Sequence, residues 1–201
     1  MSVNLYMTEK ERAIFEKVTI GIAGAGGLGS NCAMHLVRAG VKNLLIADYD
    51  NVSHSNLNRQ FFFADQIGKQ KVYALKENLL RIESRLNLTL HNIKLTSENV
   101  ATVFKDCDVV AEALDTAEAK EMFLTALIPT SKKLVSVSGI AGWGSSNSIK
   151  VRSVGKNLIL IGDCNTSENK DVGIFPESPR VGIAGAMQAN SIIALFLGSE
   201  L

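Results

Sequence analysis

Two hydrophobic rhythms alternate along the first 140 residues. Short apolar runs come at "KVTIGIA" (17–23), "VKNLLIAD" (41–48), "CDVVAEAL" (107–114) and "KKLVSVSGI" (132–140), and "NLTLHNIKL" (87–95) alternates apolar with polar positions. Each has the length of a strand and is flanked by turn-forming residues, so each predicts one. Between them the period lengthens. Residues 27–39 read as a helix ended by Gly40, a common residue just past a helix. "KQKVYALKENLLRIESRL" sets Val72, Leu75, Leu79, Leu80 and Ile82 near helical spacing. "SENVATVFKD" reads as a short helix with Ser97 as its candidate N-cap, and residues 117–128 as another helix. Strand followed by helix, repeated, predicts a parallel sheet with helices on both faces.

Two regions break the rhythm. "YDNVSHSNLNRQFFFADQIGKQ" has no clean period and is rich in Asn and Ser, which predicts a long functional loop with at most a turn of helix. After Gly139 comes a glycine and serine loop, then "IKVRSV" and "NLILIG" around Gly155 and Lys156, a hairpin pattern. "SPRVGIAGAMQANSIIALFLG" predicts a final helix, with Ser178 suited to the N-cap, Pro179 to the first helical position, and Gly182, Ala184, Gly185 and Ala186 small enough for close packing on the sheet. The expected fold class is α/β: a Rossmann-like, doubly wound sheet, parallel in its first part, then antiparallel strands and a C-terminal helix. One domain is expected over 1–201, with 1–16 as a short charged helix or arm.

Composition narrows the class. The chain has 201 residues, 46% hydrophobic and 20% charged, which suits one well-buried core. The formal net charge of +1 supplies no field for nucleic acid or an acidic membrane surface. No apolar run in the sequence reaches a membrane span, and the charged N-terminal stretch argues against a signal peptide. Cys32, Cys107 and Cys164 are far apart with no C-x-x-C spacing, so neither a disulfide framework nor a cysteine zinc site is expected, and a cytoplasmic setting is. His35, His54 and His91 form no i, i+4 pair and read as surface or packing residues.

The chemistry begins at "GIAGAGGLGS", where Gly24, Gly26 and Gly29 form G-x-G-x-x-G between a strand and a helix. Such a turn cradles phosphates, and Asp48 at the end of the second strand is placed to take ribose hydroxyls. These features alone fit a dinucleotide as well as ATP. The following loop separates the two. A nicotinamide pyrophosphate carries two negative charges, largely met by backbone N–H groups. A triphosphate carries about four and calls for cationic side chains and a magnesium ion held by a carboxylate. Arg59, in "SNLNRQ", and Lys71 can supply the cations, and Asp115, after "CDVVAEAL", the carboxylate. Each has an ordinary alternative: solvated surface charge for Arg59 and Lys71, a helix cap for Asp115. Their joint placement favours ATP.

The combination "GAGGLGS … LLIADYD … SNLNRQ … IGKQK … EALD" resembles the adenylating enzymes of the ThiF/MoeB type, relatives of ubiquitin-activating enzymes. The resemblance runs from about residue 17 to the final helix and is most like the short ThiF variants of thiamine biosynthesis. It implies Mg-ATP as cofactor and, as partner, a small ubiquitin-like sulfur carrier ending in Gly-Gly, whose terminal carboxylate becomes an acyl adenylate. It further implies a homodimer. By the same resemblance Gly24, Gly26 and Gly27 lie against the nucleotide and Asp48 holds the ribose. Asn56, Arg59 and Lys71 contact phosphates, Gln60 supports their loop, and Asp115 holds magnesium. Arg12 is the arm's candidate for reaching a partner subunit's γ-phosphate. Cys164 sits in a loop where some members carry a cysteine that links covalently to the carrier, but "IGDC" does not match that motif. The zinc-binding cysteine pairs of longer members are missing. An NAD-dependent oxidoreductase, a non-catalytic activating-enzyme-like subunit and an enzyme activating a carboxylate on a modified tRNA base remain as alternatives.

Overall fold

The computed structural model describes residues 5–166, 171 and 173–200. Strands β1 (Thr19–Ala23), β2 (Asn43–Ala47), β3 (Asn87–His91), β4 (Val109–Glu112), β5 (Lys133–Val137), β6 (Lys150–Val154) and β7 (Leu158–Gly162) form one sheet in the order β3-β2-β1-β4-β5-β7-β6. All neighbours are parallel except β6 and β7, the hairpin around Gly155 and Lys156. The strand order reverses between β1 and β4, and ligands of such sheets bind beyond the strand C-termini at that reversal.

The helices are α1 (Glu9–Phe15), α2 (Gly27–Ala39), α3 (Lys71–Ile82), α4 (Val100–Val103), α5 (Ala117–Leu127) and α6 (Ser178–Leu197). Burial divides them between the two sheet faces. Leu36, Val37, Val72, Leu75, Leu79, Ala184 and Ile192 join Ile20, Ile22 and Ile46 in one core cluster. Val100, Phe104, Phe123 and Leu127 join Leu45, Val110 and Leu134 in the other. Alternate strand residues supply the two clusters because side chains switch face at every position.

Three details differ from the sequence reading. Helix α4 is a single turn capped by Asn99, not Ser97, because the Asn99 side chain accepts from the Thr96 N–H and folds the approach into a turn. The α6 N-cap is Glu177, which places Ser178 and Pro179 inside the first turn. Of the small residues of α6, Gly185 serves packing against α2 rather than the sheet: a Cβ on it would lie 3.0 Å from Asn31 Cβ and 3.3 Å from the Leu28 carbonyl oxygen. By length and composition α6, at 20 residues, could cross a membrane, but half of it is buried here, and it carries the buried polar residues Arg180, Gln188 and Ser191. That is the pattern of a core helix.

Between β5 and β6 the chain crosses over through residues 138–149. Arg180, 2% exposed at the start of α6, pins this crossing. Its guanidinium donates to the carbonyls of Ile140 (3.3 Å), Gly144 (2.7 Å) and Ser145 (3.1 Å) and to the Asp163 carboxylate (2.8 Å). Asp163 also accepts from the Asn165 and Thr166 N–H groups and the Thr166 hydroxyl. Burial by itself would raise the Asp163 carboxyl, but these donors and Arg180 outweigh it and hold the group below its ordinary value.

The sheet also fixes the glycine turn after β1. Gly24 has φ +98°, and a Cβ there would sit 2.6 Å from the Ala113 carbonyl oxygen. A Cβ on Gly29 would lie 1.8 Å from the Gly24 carbonyl oxygen, in the backbone itself. No side chain can be moved aside to make room. Gly29→Ala is therefore expected to cost at least the ~1–3 kcal/mol of core overpacking and to lower the melting temperature sharply. Gly182→Ala, in open space on α6, should raise it by up to about 1 kcal/mol of stability. Equal melting of the two variants would refute the packing argument.

The Arg180–Asp163 pair is open to the same kind of measurement. Arg180→Met should destabilise by roughly 3–5 kcal/mol, because it strands the Asp163 carboxylate. Asp163 has a depressed folded pKa, so its contribution is full above the unfolded value of about 3.9 and is lost as pH falls through the lower folded value. Melting curves of wild type and Asp163→Asn should differ at pH 7 and converge below about pH 4.

Candidate active site

The glycine turn sits at the strand C-termini, and its neighbours converge on it from three directions. Gly26 is the N-cap of α2 and no side chain caps the helix, so its first N–H groups are left for a ligand. A Cβ on Gly26 would meet only the Gln60 Nε2, at 3.8 Å. The space above Gly26 is open.

From β2 comes Asp48, 9% exposed. Its Oδ2 accepts from the Ala25 N–H at 2.6 Å, and its Oδ1 from the Asp50 N–H at 2.8 Å. Asp48 thus holds the glycine turn itself, while each oxygen keeps a lone pair for a hydroxyl donor. Burial raises its carboxyl above the usual range, against the lowering effects of Lys71 and the two N–H groups. Lys71, 6% exposed at the start of α3, donates to Asp50 Oδ2 at 2.8 Å. The order Asp48, Asp50, Lys71 is therefore continuous. Asp50 is absent from the sequence reading, although its i+2 spacing from Asp48 placed it within reach.

The loop after β2 contributes the second side. It contains two short 3-10 turns, His54–Asn56 and Ala64–Gln66, in keeping with a largely irregular segment. Asn56 accepts from the Ser53 N–H through Oδ1 at 2.9 Å, which leaves its Nδ2 without a partner among the described residues. Arg59 lies over the start of α2, its Cγ 3.6 Å from where a Gly27 Cβ would be. Its guanidinium donates to the Ser55 carbonyl and to Asn58 Oδ1. Asn31 ties the two elements together, donating to the carbonyls of Gly27 and Arg59. Ser30 accepts from the Phe61 N–H. Gln60 Oε1 is buried without a partner among the described residues. The motif "SNLNRQ" is therefore held against α2 by Ser30, the last residue of the glycine motif, and by Asn31, which carries no motif signal of its own.

The third side is the loop after β4. Asp115 is exposed and has no hydrogen bond or ion pair among the described residues. It does not cap α5: the N-cap is Thr116, whose hydroxyl accepts from the Ala119 N–H. The helix-cap alternative for Asp115 is thereby removed. A free carboxylate at a strand C-terminus, beside an anion-binding turn, fits a magnesium ion that keeps most of its waters. Beneath it lies Glu112, fully buried and paired with Lys120 and Ser136, which the sequence reading passed over.

Two candidates lie apart from this convergence. Arg12 is on α1, and its side chain has no hydrogen bond or ion pair among the described residues. Cys164 is exposed at φ +58° and accepts from Arg152 of β6 at 3.5 Å.

Comparison with known proteins gives the family. The ThiF family model matches residues 2–201. The adenylyltransferase and sulfurtransferase MOCS3 of Culex quinquefasciatus is 28% identical over 190 residues, which are 92% of this chain and 43% of that protein. SUMO-activating enzyme subunit 2 of Dictyostelium discoideum is 38% identical over 114 residues, 54% of this chain and 17% of that one. The chain thus spans less than half the length of these curated relatives. Among solved structures, the E. coli tRNA N6-threonylcarbamoyladenosine dehydratase TcdA in complex with AMP superposes with a TM-score of 0.86 at 19% identity, over 94% of this chain and 90% of that one. E. coli MccB with ATP superposes with a TM-score of 0.72 at 19% identity, over 92% and 58%. The fold is common to both, and with the family model matched along almost its whole length, this chain belongs to the ThiF family.

Proposed function

We propose that the protein is an ATP-dependent adenylyltransferase that activates the C-terminal glycine carboxylate of a small ubiquitin-like sulfur carrier, of the kind that serves thiazole formation in thiamine biosynthesis. The observation that carries the reading is the free Asp115 carboxylate beside a glycine turn that also has Arg59 and Lys71 around it. A dinucleotide would leave that set of charges without a purpose. Relatives named as adenylyltransferases, and neighbours solved with AMP and ATP, support the nucleotide.

The chemistry asks little covalent work of the chain. One oxygen of the carrier's carboxylate attacks the α-phosphorus, the bond from that phosphorus to the bridging oxygen breaks, and pyrophosphate leaves with the electron pair. The products are an acyl adenylate and pyrophosphate. The carboxylate is already ionised, so no base is required. The obstacle is bringing an anion up to a tetra-anion and accommodating charge on the leaving group. The α2 N-terminus receives phosphate oxygens, with Gly24, Gly26 and Gly27 letting the backbone come close. Asp48 takes the ribose hydroxyls. Arg59, Lys71 and the free Nδ2 of Asn56 offset charge on the departing pyrophosphate, and Gln60 lines the turn. Asp115 would hold magnesium, which when bound neutralises phosphate oxygens and makes the phosphorus more electrophilic.

The same reading includes a homodimer in a reducing cytoplasm, in which Arg12, with no partner among the described residues of its own chain, reaches the neighbouring site.

ATP–pyrophosphate exchange is the direct test. Exchange should require both magnesium and a carrier ending in Gly-Gly. Exchange with a threonylcarbamoylated tRNA, and none with any carrier, would replace the protein substrate by a nucleic acid. Tight NADH binding with no ATP binding would overturn the nucleotide. Arg59→Ala should reduce exchange by on the order of 100-fold or more with an unchanged melting temperature, since one lost charge-assisted contact in a closed site costs a few kcal/mol. Asp115→Asn should lose magnesium-dependent exchange almost as fully as Asp115→Ala. Because Thr116 supplies the cap, neither should melt lower than wild type. An active Asp115→Asn enzyme with the wild-type magnesium requirement would sink the metal assignment.

A further inference from the structure

We propose that Glu112 and Lys120, with Ser136, are positioning residues that aim Asp115 at the bound metal–nucleotide complex. The proposal rests on the assignment of magnesium to Asp115.

Five contacts to four partner residues carry it. Glu112 ends β4 with no exposed surface, an expensive place for a carboxylate unless it is fully bonded. Its Oε1 accepts from the Leu114 N–H at 2.7 Å and from Lys120 Nζ at 2.9 Å. Its Oε2 accepts from Lys120 at 3.0 Å and from the Ser136 hydroxyl at 2.5 Å. Its main-chain carbonyl accepts from Gln188 Nε2 at 2.8 Å, reaching across from α6 on the opposite face of the sheet. The residue is thus fastened from both faces.

What it fastens is the short loop that carries Asp115. The Leu114 N–H would otherwise have no strand partner, because β4 ends at Glu112, the residue of its last pairing with β1. The Ala113 N–H donates to Ala23 and its carbonyl abuts Gly24, so the loop is also locked to the glycine turn. Lys120, one turn into α5, pulls the start of that helix onto Glu112, and Asp115 is the residue suspended between the two anchors. Asp115 itself has no fixing contact among the described residues. Its direction is set through the backbone on either side. A lone carboxylate that binds a hydrated magnesium ion depends on such outer support, since its own rotamer supplies no second point of attachment.

A purely structural ion pair would affect stability alone. A positioning pair affects the metal. Lys120→Met, Glu112→Gln and Ser136→Ala should be compared with Lys120→Arg, which keeps the charge and reach. Two readouts do not depend on turnover: Mn2+ affinity of the enzyme saturated with α,β-methylene ATP, and amide hydrogen exchange at Leu114. A third is the magnesium requirement of pyrophosphate exchange. Lys120→Met is expected to weaken Mn2+ affinity by about 10-fold or more, the usual effect of losing an outer support of a metal ligand. It should also expose the Leu114 amide to exchange, while the KM for ATP stays within about twofold, and Lys120→Arg should restore both readouts. If Glu112→Gln does not fold, the Lys120 and Ser136 variants decide the question, because both leave the buried carboxylate in place. Lower melting temperatures with wild-type Mn2+ affinity and Leu114 protection would overturn the positioning role. Asp115→Asn, run beside them, separates the two levels. If it binds Mn2+ like wild type, the metal assignment falls and the proposal with it. If it loses Mn2+ while Lys120→Met does not, only the positioning role falls.

Discussion

The contact on which the site depends is backbone against backbone at the glycine turn. Gly29 packs on the Gly24 carbonyl and Gly24 on the Ala113 carbonyl, at separations no Cβ could enter. This brings α2 close to β1 and leaves its N-terminal N–H groups facing the crevice where the strand order reverses. The same closeness passes the position of one loop to the next. Asp48 reaches the Ala25 N–H, and the Ala113 N–H reaches Ala23, so three strand ends share one rigid frame. In the proposed reaction a looser turn would leave the placement of Asp115 and Lys71 around the nucleotide undefined, and electrostatic catalysis depends on such distances being set beforehand.

Charge is arranged around this frame in two layers. The outer groups, Arg59 and Asp115, are held by backbone or left free, which suits groups that must meet a ligand. The inner ones are paired: Lys71 with Asp50, Glu112 with Lys120, Arg180 with Asp163. Burying a charge without a partner would cost more than the fold can absorb, so each inner ion comes with its counter-ion. The inner pairs then do what short polar side chains could not. They cross from one element to another and hold loop backbone that has no strand partner, as at the crossing over residues 138–149 and the turn at Ala113.

Much of the site was legible in the chain itself. G-x-G-x-x-G between a strand and a helix is a local signal, since the turn and the helix start are within ten residues of each other. Asp48, Lys71 and Asp115 stand at the ends of elements whose hydrophobic rhythm is plain, Arg59 stands in the irregular loop between the first two, and parallel connectivity then carries the element ends to one edge. The Asp115 capping question was not legible, because Asp and Thr are both good N-caps and they are adjacent here. Only the geometry assigns the cap to Thr116. The same holds for Ser97 against Asn99 and for Ser178 against Glu177, where the true boundary is one or two residues from the preferred cap residue.

Sequence alone determined the class of fold, the order of its elements and the residues whose type and spacing match phosphate chemistry, because all of these follow from periodicity and from short-range turn geometry. Tertiary structure alone decided which charges support others. Glu112 reads in sequence as one more residue of an apolar strand, Gln188 as a polar break in a helix and Arg180 as a surface charge near a helix start. Apart from the Leu114 N–H, two positions from Glu112, their partners lie 8 to 76 positions away in the chain. No pattern in a single chain reports such separations. They exist only once the sheet has brought β4, β5 and α6 together and removed the water that would otherwise have satisfied those groups.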